Sequence, residues 1–247
     1  MTREADGAPV DPGVVAGRLA PDGVRQMFDR IAPRYDLLNR LMTMGLDRRW
    51  RALAADLSEA RPGHRVLDSC TGTGNLALEL ASRVGPEGEV VALDFSEEML
   101  RHAREKLDSA RAPMQFIAGD ALALPFPDDA FDAATVAFGV RNLDDLDRGL
   151  AEMARVVRPG GRVVILEITT PQRLRPFYAF WFDRVVPQLG RLVARDRAAY
   201  TYLPASVRRF PAAPELARRM EAAGLAEVEW RGLCAGMVVM HHGRVPA

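Results

Sequence analysis

The residues with the plainest capacity for chemistry lie in one run, Asp68-Ser69-Cys70-Thr71-Gly72-Thr73-Gly74-Asn75. Glycines at 72 and 74 let the backbone approach a ligand closely and take conformations that a side chain forbids. The run follows a short aliphatic segment and opens a helical one, so the free N–H groups of a helix start face a carboxylate or phosphate. Asp94 closes the next aliphatic segment, at the distance of an acid that holds ribose hydroxyls. Bonds to such a charged group contribute about 1.5–3 kcal/mol each. Phe95 follows it. Asp120 and Ala121 follow a third segment, where the acid can take an exocyclic amino group and the Ala121 N–H a ring nitrogen. Gly72-x-Gly74-x-x-Ala77 fits a dinucleotide fingerprint and an S-adenosylmethionine loop equally well. By itself the loop leaves both open, together with a tight turn that binds nothing.

The elements that must position these residues alternate. Val24, Met27, Phe28 and Ile31, then Leu37, Leu38, Leu41 and Met42, recur at helical spacing, interrupted by Pro33 and Gly45. A third helix is expected from Asp47 into Leu57. Strands are predicted at 65–68, 89–94, 114–117, 131–137 and 162–168, and helices at 76–83, after Ser96, and at 146–157 before Pro159-Gly160-Gly161. Such alternation argues for a parallel sheet with helices on both faces. A long helical stretch is expected from Pro171 to about Asp196, and another helix near 214–223. The last strands, 225–231 and 236–241, are too close for a crossover and must be antiparallel.

The Gly119-Asp120-Ala121 phrase after the third strand begins to resolve the ambiguity of the loop, and two further features complete it. Leu124-Pro125-Phe126-Pro127-Asp128-Asp129-Ala130-Phe131-Asp132 leads into the fourth strand, and the closing strand pair is antiparallel. A dinucleotide domain needs neither. Together they resemble the seven-stranded, Rossmann-like α/β sheet of class I S-adenosylmethionine methyltransferases, here with N-terminal helices and a helical insertion before the last strand pair. Further phrases are more specific: Phe28 to Asn39, Phe138-Gly139-Val140-Arg141-Asn142, Tyr200 to Ser206, and Gly236 to Gly243. With these the chain resembles the demethylmenaquinone and ubiquinone-biosynthesis C-methyltransferase family from about Val24 to Gly243.

The resemblance implies S-adenosylmethionine as cofactor, held at Asp68, Gly72, Thr73, Gly74, Asp94, Phe95, Asp120, Ala121 and the position of Ala137. Some members have serine at the last of these, so that side-chain contact is absent here. Cys234 stands where members often have threonine, which bears on the acceptor. The implied reaction is C-methylation of a prenylated quinol of the demethylmenaquinol type. Its chemistry is mainly alignment, plus loss of a ring hydroxyl proton and stabilisation of the oxyanion. Arg141 and Asn142, at the end of the fourth strand, are expected to orient a water and stabilise that oxyanion. The alternative for Arg141 is an ion pair with Asp144 or Asp145. Tyr35 and Asp36 close over the cofactor, or else Tyr35 packs a helix on the sheet. His241 is a further catalytic candidate or a structural strand-end histidine, and His242 is expected in solvent.

The aromatic and arginine-rich segment 173–197 offers three readings: a tail-binding lid, a contact between two copies of the chain, or a surface resting on anionic lipid. The 33 Lys+Arg balance the 33 Asp+Glu, so no global field draws the chain to nucleic acid. Two separated cysteines suggest neither a metal site nor a disulfide scaffold, and no apolar run spans a membrane; a cytoplasmic setting is expected. Residues 1–20 read as a disordered tail. Residues 21–247 read as one domain, with a helical cap (21–60), a cofactor core (61–170), a helical lid (171–224) and the closing strand pair (225–247). Two rival functions stay open, methylation of another phenolic or polyketide metabolite and non-catalytic cofactor binding in a biosynthetic complex.

Overall fold

Five aliphatic runs separated by helices become parallel strands in the computed structural model, which describes residues 14–15, 18–107, 110–170 and 197–247. Two short strands come first, β1 (Val14–Val15) and β2 (Arg18–Leu19), paired antiparallel where a disordered tail was expected. The main sheet holds β3 (Arg65–Ser69), β4 (Glu89–Asp94), β5 (Met114–Ala118), β6 (Phe131–Ala137), β7 (Val157–Ile168), β8 (Ala226–Leu233) and β9 (Val238–Arg244). Its order is β5-β4-β3-β6-β7-β9-β8. The first five strands run parallel; β9 is antiparallel to both β7 and β8. The seven-stranded class I architecture is therefore observed.

The pleat sorts neighbouring residues onto opposite faces. Val66, Val90 and Val164 face one layer, built on α3 (Leu46–Leu57) and α4 (Asn75–Val84). Leu67, Val91 and Ile165 face the other, built on α6 (Leu146–Arg155) and α8 (Ala213–Ala222). A third cluster seats α1 (Pro21–Ile31) and α2 (Tyr35–Met42) against Met99 of α5 (Glu97–Arg104) and Val207 of α7 (Arg197–Arg209). A short 3-10 turn at Ala32–Arg34 separates α1 from α2, and Gly45 at φ +77° starts α3, the two breaks that Pro33 and Gly45 announce. Ser96 caps α5 by accepting the Met99 N–H at 3.1 Å, as its sequence foretells.

The departures are local. The helix expected to reach residue 157 stops at Arg155, and β7 starts at Val157. Pro159-Gly160-Gly161 is thus not a helix stop but part of an irregular β7 start, where the register with β6 shifts between Phe131 and Ala133 and Gly160 takes φ +80°. The last two strands end later than expected, at Leu233 and Arg244. The helix predicted from Pro171 to Asp196, and segment 173–197 but for its last residue, lie outside the described residues; α7 follows them directly.

Strand order reverses at β3, which pairs with β4 on one side and β6 on the other. Loops leaving the carboxyl ends of these strands diverge, and the gap between them is where open α/β sheets bind ligands.

Candidate active site

A cavity of about 280 Å³ fills that gap. Asp68, Gly72 and Thr73 border it from β3, Asp94 and Phe95 from β4, Asp120 and Ala121 from β5, and Ala137 from β6. Gly74 does not line it. A Cβ at 74 would stand 3.1 Å from Ala103 Cβ, and φ is +77°, so this glycine serves the left-handed start of α4 and its close approach to α5. Gly72 does face the cavity, also at positive φ.

Two buried carboxyls define the polar floor. Asp94 accepts the Gly72 N–H at 2.8 Å and the Ser96 N–H at 3.0 Å. Asp68 accepts the hydroxyls of Thr71 at 2.6 Å and Thr135 at 2.9 Å. Burial pushes each up to about 6, against the pull of these bonds. Asp120 fixes its own turn by accepting the Leu122 N–H at 2.8 Å.

Asp36 does not hang over the cavity as a free side chain. It accepts bonds from Thr73 Oγ1 at 2.6 Å, Asn75 Nδ2 at 2.8 Å and Lys106 Nζ at 2.6 Å. Burial works against its carboxylate, but these donors outweigh it and hold its pKa below the usual value. The Thr73 hydroxyl thus donates to the helical cap, and Thr73, expected to contact the cofactor, borders the cavity.

A second cavity, of about 160 Å³, lies between the cap, the end of β7 and the start of β9. Met27, Ile31, Leu38, Trp50, Ile168 and Met237 make it apolar. Phe28, Tyr35 and Phe138 border both cavities and form the wall between them. Arg141 and Asn142 stand in a 3-10 turn, Val140–Asn142, beside this wall. Arg141 borders the apolar cavity and Asn142 the polar one. The ion pair anticipated for Arg141 with Asp144 or Asp145 is not formed. Instead Nη1 meets Glu167 Oε1 at 2.8 Å, with side-chain exposures of 7% and 1%, and also donates to the Phe138 carbonyl. Burial raises the Glu167 carboxyl despite this partner. Arg141 Nε is buried with no partner among the described residues. Burial likewise raises the Tyr35 phenol, although the Arg141 charge opposes the rise. Tyr202 donates its hydroxyl to Asn142 Oδ1 at 3.2 Å.

His241 is not part of this assembly. Because β9 runs antiparallel, its first residue, Val238, lies at the site edge beside Ile168, and His241 lies deeper, beside Ile165. It is 1% exposed, borders neither cavity, and its Nε2 lies 2.9 Å from the Ala213 carbonyl. Burial pushes its pKa down to about 4. His242, expected in solvent, is half-buried beside Arg162.

Sequence reasoning missed Glu167, Lys106 and Tyr202. Glu167 left a signal: it is the one acid in the run Val163-Val164-Ile165-Leu166-Glu167-Ile168, where a buried charge requires a partner.

The polar cavity offers buried acids at two strand ends, a glycine that leaves its wall open, and an acid–alanine pair, a set that fits a nucleoside carrying an amino-acid tail. With the sheet order, this defines a class I S-adenosylmethionine-dependent methyltransferase. The chain belongs to the ubiE/COQ5 methyltransferase family, whose profile it matches over residues 17–245. It is 48% identical, over 89% of its length and 100% of the relative's, to a demethylmenaquinone methyltransferase of Thermus thermophilus. It is 43% identical, over 89% of its length and 86% of the relative's, to a ubiquinone/menaquinone biosynthesis C-methyltransferase UbiE of Bordetella avium. In fold it is similar to an S-adenosylmethionine-dependent methyltransferase of Thermotoga maritima, with a TM-score of 0.61 at 20% identity, covering 89% of this chain and 98% of that one. It is also similar to the [4+2]-cyclase SpnF, with a TM-score of 0.68 at 20% identity, covering 93% and 98%.

Proposed function

We propose that the protein methylates a ring carbon of a prenylated quinol, with a demethylmenaquinol-type ring as acceptor. The observation that carries this reading is the apolar cavity sharing its Tyr35–Phe138 wall with the donor cavity, with the buried Arg141 at the junction. The names of the relatives supply the acceptor class. When bound, the donor supplies a sulfonium methyl already activated for displacement. The protein's part is alignment and charge. Apolar walls from Met27 to Met237 hold the ring and the start of its tail and exclude water. Arg141 orients a water that accepts the ring hydroxyl proton and passes it to solvent, and its charge stabilises the oxyanion that remains. Its guanidinium stays protonated and so is no base itself. Glu167 fixes its orientation. Asn142, aligned by Tyr202, directs a polar contact into the donor side. His241 has no part in this scheme.

Methyl transfer to a short-chain demethylmenaquinol by the purified protein is the expected result. Arg141→Ala should cut kcat by about 100-fold or more, the scale of one lost acid–base or oxyanion group. It should leave donor affinity unchanged. A variant with normal turnover removes Arg141 from the chemistry. One observation favours a second acceptor class: Cys234 borders the apolar cavity where the resemblance leads one to expect threonine. Transfer confined to other phenolic or polyketide compounds would select that reading. Binding of the donor with no transfer to any phenol would select the non-catalytic one.

A long-tailed acceptor resides in a bilayer, and contact with anionic lipid belongs to the proposal. Segment 173–197 was the sequence's candidate. Among the described residues, Leu37, Leu41 and Met44 are 51%, 42% and 79% exposed, and Met44 borders the apolar cavity. Exposed Arg34, Arg40, Arg48 and Arg49 belong to the same stretch of chain. Both acids of this stretch are already paired, Asp36 with Lys106 and the buried Asp47 with Arg51.

A further inference from the structure

Two cations border the donor cavity among the described residues, Arg25 and Arg51. Arg25 is a surface group, 3.2 Å from Asp22 with side-chain exposures of 49% and 81%. Arg51 is 5% exposed and has no role in the chemistry above. It reaches in from α3, its Cζ 5.4 Å from the centre of the Phe138 ring that walls the cavity. Its Nη1 donates to Asp47, whose other oxygen accepts the Thr43 hydroxyl at 3.0 Å. A guanidinium carries five donors in a planar fork, so one acid does not exhaust it. Asp68, also bordering the cavity, is close enough to feel the Arg51 charge. The cavity is therefore lined by both a buried cation and a buried acid, near enough for the charge of one to reach the other.

The donor's nucleoside needs no such pair, because its ribose and base are neutral. Its amino-acid end does: an ammonium and a carboxylate lie on one carbon, and each is costly to bury unpaired. We propose that Arg51 is the counter-ion for that carboxylate, with Asp68 facing the ammonium. The proposal rests on the methyl-donor reading of the cavity and adds where the amino-acid end lies and what holds it. The fork binds Asp47 along one edge and the ligand carboxylate along another, so Asp47 is a positioning residue that fixes Arg51 without neutralising the site.

The test compares two ligands that share a nucleoside and thioether. S-adenosylhomocysteine carries the amino-acid end; 5′-methylthioadenosine lacks it. Titration calorimetry on the full chain measures both against the unaltered protein, Arg51→Gln and Arg51→Lys. Arg51→Gln is expected to weaken S-adenosylhomocysteine by about 10- to 100-fold, the scale of a lost charge-assisted bond. Methylthioadenosine should stay within about twofold. Arg51→Lys keeps the charge but not the fork, so it should give a smaller loss on the first ligand alone. Equal weakening of both ligands, or of neither, overturns the assignment and returns Arg51 to a packing role under Phe138. Should Arg51→Gln fail to melt cooperatively, the Lys variant decides by the same comparison. An unaltered protein that binds neither ligand overturns the donor reading itself, and this inference with it.

Discussion

Asp94 shows how one side chain serves two tasks at different pH. Buried at the end of β4 and braced by the Gly72 and Ser96 N–H groups, its carboxyl titrates at about 6 instead of near 4. A pKa raised in the folded state favours the neutral acid there. The stability this gives is complete below about pH 4 and is lost as pH rises through 6. Ribose hydroxyls prefer the ionised form, so binding runs the other way. S-adenosylhomocysteine should bind up to about tenfold tighter at pH 7 than at pH 5, the full response of one group titrating near 6. Asp94→Ala should weaken it by on the order of a hundredfold at pH 7, two lost charge-assisted bonds. A flat wild-type profile in calorimetry contradicts the pH argument, and unchanged affinity in the variant removes Asp94 from the site. The position of Asp94 was legible because an acid after an aliphatic run marks a strand's carboxyl end. Its bracing was not, since the two N–H donors come from a loop 22 residues back and from the next turn. Arg141 teaches the same lesson. Its place at the end of β6 could be read, but its true partner, Glu167, is 26 residues away and meets it only because β6 and β7 pair.

At the scale of elements, strand direction decides what a residue can reach. The antiparallel closing pair was readable from the short connection between its strands. For His241 that direction is decisive: reversing β9 puts its beginning at the catalytic edge and its middle in the core. Substitution there should act on stability. His241→Leu should keep kcat within about twofold and cost about 1 kcal/mol of unfolding free energy, one lost buried bond to Ala213. Because burial lowers the folded pKa to about 4, the histidine's contribution is present above about pH 6.5 and disappears as pH falls toward 4. Part of the wild type's acid destabilisation in that window should therefore be missing in the variant, as measured by urea titration at each pH. A large kcat loss with unaltered stability would return His241 to the chemistry. The irregular start of β7 was hidden for a related reason. Pro159-Gly160-Gly161 has the composition of a helix stop, and only its neighbours reveal it as a strand, with Gly160 N–H on the Val245 carbonyl at 2.8 Å.

For the molecule as a whole, the balanced formal charge conceals a local imbalance. In 34–49 four exposed arginines, Arg34, Arg40, Arg48 and Arg49, face only two acids, and both are already paired, Asp36 with Lys106 and Asp47 with Arg51. Each basic group near an anionic surface contributes about 1 kcal/mol, so replacing Arg34, Arg40, Arg48 and Arg49 together by Gln should weaken binding to phosphatidylglycerol-containing vesicles by more than about 100-fold. Turnover of a short-chain, water-soluble acceptor should not change. Cosedimentation that is equal for variant and wild type, or that is absent for both, removes this face as the lipid contact.

Asp36 links the cap to the catalytic edge. One carboxylate on α2 ties the glycine loop, through Thr73 and Asn75, to Lys106 beyond α5. The cap helix α2 is thereby latched to the very backbone that cradles the nucleoside. Phe28 and Tyr35 of the same cap border the donor cavity, so the bound donor and the latch share one wall. Occupancy and the protease resistance of the amino-terminal quarter should consequently rise and fall as one quantity.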